Sequence, residues 1–315
     1  MRLVADIGGT NARFALLAAD SLEPQREKTV RCADYASLEH AVRSYLHDTG
    51  DPVVREAAID VATNVTGDFV HLTNGPWGFS IEQTRQVLAL ERLRVVNDFT
   101  ALALAVPTLR ADELTRIGGG GALAATPIAV IGPGTGLGVS GLIPVAKGWA
   151  ALQGEGGHAS FSPSDEREVG VLRWLQQRYE HVSVERVVSG MGLQNLYHAL
   201  CTMDGAPPRP LDPSQISAAA LARSDAQCMA ALDMFCAILG AAAANLVLTL
   251  GAQAGCYIGG GIVPQLGEYF ARSPFRSRFE SAGRFSGYVA AVPTYVILAK
   301  TPALRGLATL LNQSP

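Results

Sequence analysis

The sequence predicts an α/β fold in which two similar halves each open with a glycine-rich hairpin. Three observations carry that expectation. Short β-rich runs alternate with helical runs along the chain, the pattern of α/β proteins. Val4–Leu16 and Ala129–Leu142 share one plan, an apolar strand, a turn containing Gly-Thr and a second apolar strand, with Gly9-Thr10 matching Gly134-Thr135. The length of 315 residues exceeds the ~100–200 of an ordinary domain, and an internal duplication accounts for it. Two similar halves facing each other across a cleft would explain both the length and the two turns. The 48% of hydrophobic residues, 17% of charged residues and 33 glycines suit a compact enzyme with many tight turns, not a disordered or fibrous chain.

The elements read in order as follows. Arg2–Asp6 and Ala12–Leu17 are strands around the first turn, and Lys28–Arg31 and Ala57–Val61 are further extended runs. Ser80 with Gln83 three residues on is a capping-box pattern, and Ile81, Val87 and Leu88 continue it as an apolar helical face. Arg94-Val95-Val96 is a short strand that runs into Asn97-Asp98 and then a helix through Ala105, stopped by Pro107. Asp112–Pro127, with its run Gly118–Gly121, is expected to be a linker or mobile loop. The pattern then restarts with strands at Ile128–Ile131 and Leu137–Ile143 around Gly132-Pro133-Gly134-Thr135-Gly136. The second half is more helical: Val187–Cys201, capped by Ser189, then Ser217–Arg223 and Ala226–Leu250. A strand at Cys256–Ile258 leads into Gly259-Gly260-Gly261. Tyr295–Leu298 is a late strand and Pro302–Leu311 a closing helix.

Composition excludes several function classes. With 25 basic and 28 acidic residues, net charge −3 and no basic run, the chain lacks the footprint of a nucleic-acid binder. The five cysteines, Cys32, Cys201, Cys228, Cys236 and Cys256, are odd in number and never at C-x-x-C spacing. That argues against a disulfide framework or zinc knuckle and fits a reducing cytoplasm. Asp6 and Gly8-Gly9 interrupt the first apolar run, unlike a signal peptide. Met234–Ile258 has the length of a membrane helix, but it contains Asn245, Thr249, Gln253 and three glycines, with no flanking Lys or Arg anchors. A buried Ala-rich helix followed by a strand is the better reading.

Chemistry concentrates in a few places. Backbone N–H groups can cradle phosphates only where no Cβ blocks the approach. Gly8 and Gly9 clear that space, Thr10 adds a hydroxyl and Asn11 an amide, while Gly134, Thr135 and Gly136 can do the same in the second half. One such turn alone could be an ordinary tight hairpin; two matched turns, the first preceded by an acid, point to phosphate. Asp6, at a strand end, could hold Mg²⁺ through water. No P-loop or complete G-x-G-x-x-G opens a helix. Asp98, at a strand–helix junction, could accept the proton of an attacking alcohol or simply cap the helix, and spacing alone does not separate the two. Glu155 and His158 in Gly154-Glu155-Gly156-Gly157-His158 suit a sugar's hydroxyls, yet a lone Glu or His in a loop is more often solvated. Glu185, before Val187-Val188, reads first as a solvated helix-start residue. Gly259, Gly260 and Gly261 allow an adenine or ribose to pack on backbone, or a chain reversal.

Taken together, these motifs resemble, over nearly the whole chain and in order, the bacterial glucokinase family of the sugar kinase and actin-like ATPase superfamily. Val4–Leu16 is similar to its first phosphate motif, Val96–Ala101 to its catalytic stretch, Ile131–Gly141 to its second phosphate motif, Gly154–His158 to its sugar loop and Gly255–Pro264 to its adenosine motif. The resemblance implies a two-domain actin-like ATPase (ribonuclease H-like) fold, with a small domain of residues 1–107 rejoined by 299–315 and a larger domain of 108–298. It implies glucose and Mg-ATP as substrates, Asp98 as base for the C6 hydroxyl, and Asn97, Glu155, His158 and Glu185 on the other hydroxyls. It also implies phosphates on Gly8–Asn11 and Gly134–Gly136, and homodimers. The zinc-binding cysteine cluster of the related repressor and open-reading-frame kinase group is absent, so the likeness is to the non-zinc type. Val61–Val65 departs from a small residue-Pro pattern that family members often carry there. Two alternatives stay open: a kinase of mannose, fructose or an N-acetylated hexosamine, and a non-catalytic sugar sensor. The sensor is disfavoured because the first phosphate strand begins at Arg2, which leaves no room for an N-terminal helix-turn-helix.

Overall fold

In the computed structural model, which describes residues 1–72 and 75–313, the chain divides into two compact units. One is Met1–Arg110 with Ala299–Pro315 and the other is Ala111–Leu298. Ser314 and Pro315, the end of the expected C-terminal return, lie outside the described residues. The first unit runs β1 (Arg2–Ile7), β2 (Asn11–Leu17), β3 (Gln25–Arg31), α1 (Leu38–Asp48), β4 (Glu56–Val61), β5 (Phe69–His71), β6 (Gly78–Ser80), α2 (Ile81–Val87), β7 (Arg92–Asn97) and α3 (Asp98–Ala105). The second runs β8 (Leu114–Gly118), β9 (Ile128–Pro133), β10 (Leu137–Val145), β11 (Gly148–Gln153), α4 (Glu166–Gln176), α5 (Gly190–Met203), α6 (Pro213–Leu221) and α7 (Ala226–Leu250). It continues through β12 (Gly255–Ile258), α8 (Val263–Leu266), α9 (Glu268–Arg272), α10 (Phe275–Glu280), α11 (Ser286–Ala291) and β13 (Thr294–Ile297), after which α12 (Pro302–Asn312) returns to the first unit.

The duplication expected from the two hairpins is visible in sheet topology. The first sheet has the order β3-β2-β1-β4-β7, with β1–β2 and β2–β3 antiparallel and β1–β4 and β4–β7 parallel. The second repeats it as β11-β10-β9-β12-β13, in the same senses, and adds β8 at the far edge. Strand β8 corrects the linker expectation for Asp112–Pro127: Leu114–Gly118 pairs antiparallel with β13. Its partner lies nearly the whole unit away in sequence, so nothing local announced it.

Each unit has its own core. In the first, alternation along the strands sends Leu3, Ala5, Ile7 and Ile59 to one face, where α1 buries Leu38, Val42 and Tyr45, and the rings of Phe14 and Tyr45 stack at 5.4 Å. Val4, Asp6, Ala58, Asp60 and Val96 fall on the opposite face, which α3 and α12 cover. In the second unit α7 is the central helix. Asp225 caps it through the Cys228 N–H, Gly251 ends it in the left-handed conformation, and Phe235, Leu239 and Val247 are fully buried. Among the described residues it is the one helix long and apolar enough to cross a membrane, and 61% of its apolar window is buried inside the protein. It is followed by β12, as the sequence led us to expect.

Helix starts follow their capping residues. Ser189 caps α5 and Ser80 caps α2, each accepting the N–H three residues on. The helix expected at Ser217–Arg223 begins earlier, at Pro213, where Asp212 and Gln215 form a reciprocal capping box.

Candidate functional site

Three strands of the first unit end in acidic groups. Parallel pairing sets Asp6 directly beside Asp60 and Val61 beside Asn97, so Asp98 follows at the next position. At the junction, both Asn97 and Asp98 meet the first free N–H of the helix. Asn97 is the cap: its Oδ1 accepts the Phe99 N–H at 2.9 Å, and its Nδ2 donates to the Thr63 carbonyl at 3.3 Å. An amide has two N–H groups, and the Thr63 carbonyl is the one acceptor that Asn97 Nδ2 meets among the described residues. Asp98 opens α3 half-buried, with Oδ1 also 2.9 Å from the Phe99 nitrogen.

The first turn closes on itself. The Gly8 N–H donates to the Asn11 carbonyl at 2.9 Å, which leaves the N–H groups of Gly9 and Thr10 outside the turn's own bonding. Asp6, before it, pairs with Arg13 at 3.4 Å, both side chains about one-third exposed. In the second unit the Gly134 N–H donates to the Gly136 carbonyl at 2.8 Å in the same way, one residue shorter. This turn is held from outside as well. The first N–H of α5, from Gly190, donates to the Gly134 carbonyl at 2.9 Å, and Glu185 Oε2 accepts the Leu137 N–H at 2.8 Å. Glu185 is therefore half-buried and bonded to backbone, not a solvated helix-start residue.

The loop Gly154–His158 forms a single turn in which the His158 N–H bonds the Glu155 carbonyl at 2.9 Å. Both side chains are exposed. His181 Nε2 sits 3.0 Å from the His158 carbonyl and anchors the loop's end. Gly157 packs against the backbone of Leu137, where an added Cβ would lie 2.1 Å from the carbonyl oxygen. Of the three glycines after β12, Gly259 and Gly260 press on the backbone of Gly132 and Pro133, at the base of the second glycine turn, while Gly261 faces open space. Thus the second unit brings Gly134–Gly136, Glu155, His158, Glu185 and Gly259–Gly261 into one neighbourhood linked through Leu137 and Gly132. The first brings Asp6, Gly8–Asn11, Asn97 and Asp98 to the ends of adjacent strands.

One residue of this site was not singled out in the sequence. Asp60 is 0% exposed, and neither carboxylate oxygen meets a donor at hydrogen-bonding geometry. Burial pushes its pKa well above the usual carboxylate range; the charges of Asp6 and Asp98 add to the rise, and Arg13 opposes it. An acidic residue inside the apolar strand Ala57-Ala58-Ile59-Asp60-Val61 was the available signal. The donors of Asp6, Asp60 and Asp98 are all hard oxygens, the kind Mg²⁺ prefers. Among the described residues no three acidic, His or Cys groups are gathered closely enough to cage a metal directly. Asp6 and Asp98 are partly exposed and fit a hydrated Mg²⁺ held through water, whereas the fully buried Asp60 does not reach solvent.

A family model described as Glucokinase matches residues 3–314. The chain is 52% identical over 310 residues to a glucokinase of Chromobacterium violaceum, covering 98% of this chain and 89% of that one. A crystal structure of glucokinase from an Antarctic psychrotroph superposes with a TM-score of 0.91 at 38% identity, covering 99% and 98% of the two chains. A ROK family glucokinase from Streptomyces griseus, in complex with glucose and AMPPNP, superposes at a TM-score of 0.64 with 18% identity over 98% of each chain, a likeness of fold.

Proposed function

The chain belongs to the glucokinase family, its activity is that of an ATP-dependent hexose kinase, and from that premise we propose how its residues divide the work. The reaction moves the γ-phosphoryl of ATP to the C6 hydroxyl of D-glucose. The hydroxyl oxygen forms a bond to the γ-phosphorus, the bond from that phosphorus to the bridging oxygen breaks, ADP leaves, and Asp98 takes the hydroxyl proton. The observation that carries this reading is the Asn97–Asp98 junction. Because Asn97 supplies the cap of α3, Asp98 is held at the strand end without being needed as the helix cap.

The remaining roles follow from chemistry. The N–H groups of Gly9, Thr10, Thr135 and Gly136 bind phosphate oxygens, with the Thr10 hydroxyl and Asn11 amide beside them. Glu155, Glu185, His158 and the second N–H of Asn97 bind the other sugar hydroxyls, and Gly261 with its neighbours supports the nucleoside. Asp6 would hold a hydrated Mg²⁺ through water, and the ion would supply charge neutralisation for the transferring group. Positioning and charge stabilisation are most of what the protein supplies. A cleft between the domains belongs to this proposal. So do cytoplasmic residence, for which five buried free thiols speak, and homodimeric assembly, which light scattering at a mass near 33.1 kDa would refute.

The test is a coupled assay of ADP release over glucose, mannose, fructose and N-acetylglucosamine, with and without Mg²⁺. Turnover with glucose that needs Mg²⁺ supports the assignment. A clear preference for another hexose replaces glucose by that sugar, and no turnover with any of them leaves the sensor reading.

A further inference from the structure

Glu185 joins two parts of the second unit that the reaction treats as separate. Its Oε2 accepts the Leu137 N–H at 2.8 Å, at the exit of the phosphate turn. The carbonyl of the same Leu137 faces Gly157 of the sugar loop so closely that a Cβ there would lie 2.1 Å away. Gly136 itself has room for a side chain except toward Glu185, whose Oε2 would lie 2.5 Å from an added Cβ. The carboxylate thus touches the turn at two successive residues, while Oε1 is left for a ligand.

Resting on the kinase reading, we propose that Glu185 is a positioning residue that couples the two substrates: a sugar hydroxyl on Oε1 fixes the carboxylate, and Oε2 in turn fixes the phosphate turn through Leu137. A carboxylate is planar and rigid, so orienting one oxygen orients the other. A hydrogen bond from a backbone N–H to a charged acceptor is strong enough to matter for a turn of three residues. Sugar occupancy therefore sets the geometry that receives ATP, and nucleotide occupancy sets the carboxylate that receives the sugar, as reciprocity of coupled sites requires.

The signature is crosswise. Glu185→Ala, a change in a sugar-contacting group, raises the KM for ATP about tenfold as well as that for glucose, the loss expected of one charge-assisted bond. Glu155→Ala, in the sugar loop and with no hydrogen bond to the turn among the described residues, raises the KM for glucose and leaves that for ATP within about twofold. Gly136→Ala, a change on the phosphate side, raises the KM for glucose about tenfold. Its backbone is outside the left-handed region, and its Cβ meets only the end of a flexible side chain, so the fold tolerates it. Glu185→Gln keeps an oxygen for the Leu137 N–H and returns the KM for ATP to within about threefold of the unaltered protein. The double variant Glu185→Ala/Gly136→Ala is no worse than the weaker single one.

Effects confined to one substrate in Glu185→Ala and Gly136→Ala overturn the coupling. The same comparison is made with calorimetric Kd values for glucose and AMPPNP. If the unaltered protein turns over no hexose, the kinase reading fails by itself, while crosswise Kd changes still support the coupling and their absence overturns it.

Discussion

Replacing Asp60 by Asn changes one carboxyl oxygen for an amide nitrogen in a place where a carboxyl is already disfavoured as an anion. Asp60 is fully buried, its oxygens have no donors, and burial followed by the nearby Asp6 and Asp98 raises its pKa in the folded protein. In the unfolded chain the group titrates near the ordinary value of ~3.9. Below that pH it is neutral in both states and costs nothing. As pH rises above it, the unfolded chain releases the proton and the folded one does not. Stability then falls by about 1.4 kcal/mol per pH unit until the folded carboxyl itself ionises. The stability associated with the raised pKa is therefore present in acid and lost toward neutrality. An amide does not titrate, so Asp60→Asn should match the natural chain at about pH 4 and gain over it steadily at higher pH. Urea unfolding of both proteins in EDTA at half-unit steps from pH 4 to 8, followed by circular dichroism, gives the difference directly. A difference that stays flat with pH, or an Asn variant that is the less stable of the two at pH 7, would refute the placement of Asp60 as a buried carboxyl with a raised pKa.

Other expectations follow from single contacts. Asp98→Ala should lower kcat by about 10²–10⁴-fold, the usual worth of a positioned base, with calorimetric glucose affinity within a few-fold; near-normal turnover would remove Asp98 from that role. Arg278 Nη2 pairs at 2.8 Å with Glu168, whose side chain is 2% exposed and also accepts the Ser164 N–H at 2.7 Å. Arg278→Ala leaves that carboxylate buried without its cation and should cost about 3–5 kcal/mol in urea unfolding, whereas Arg278→Ala/Glu168→Gln should recover most of it; no recovery would locate the loss elsewhere. Gly240 lies where α7 crosses α10, and a Cβ there would be 2.2 Å from the Phe275 carbonyl. Gly240→Ala should destabilise by about 1–3 kcal/mol through overpacking, seen as a lower urea midpoint, and an unchanged midpoint would mean the helices part without cost.

What the sequence by itself determined is written at short spacing. The bounds of α7 and α3, the cap at Ser189 and the glycine turns depend on hydrogen bonds between residues two to four apart, so their side chains announce them. The repeated strand–turn–strand plan was legible because both copies are local, while the matching order of the remaining strands was not. The Asn97-Asp98 junction could be located but not assigned, since either residue can cap a helix and only the hydrogen bonds of the folded chain show that Asn97 does. Tertiary structure alone decided the rest. Asp60 reaches Asp6 through the register of parallel strands, and β8 finds β13 across the unit. Glu185, read locally as a solvated residue, meets Leu137 from 48 positions away. Such contacts are set by which faces must be buried together and by strand register, quantities that no local window of residues contains.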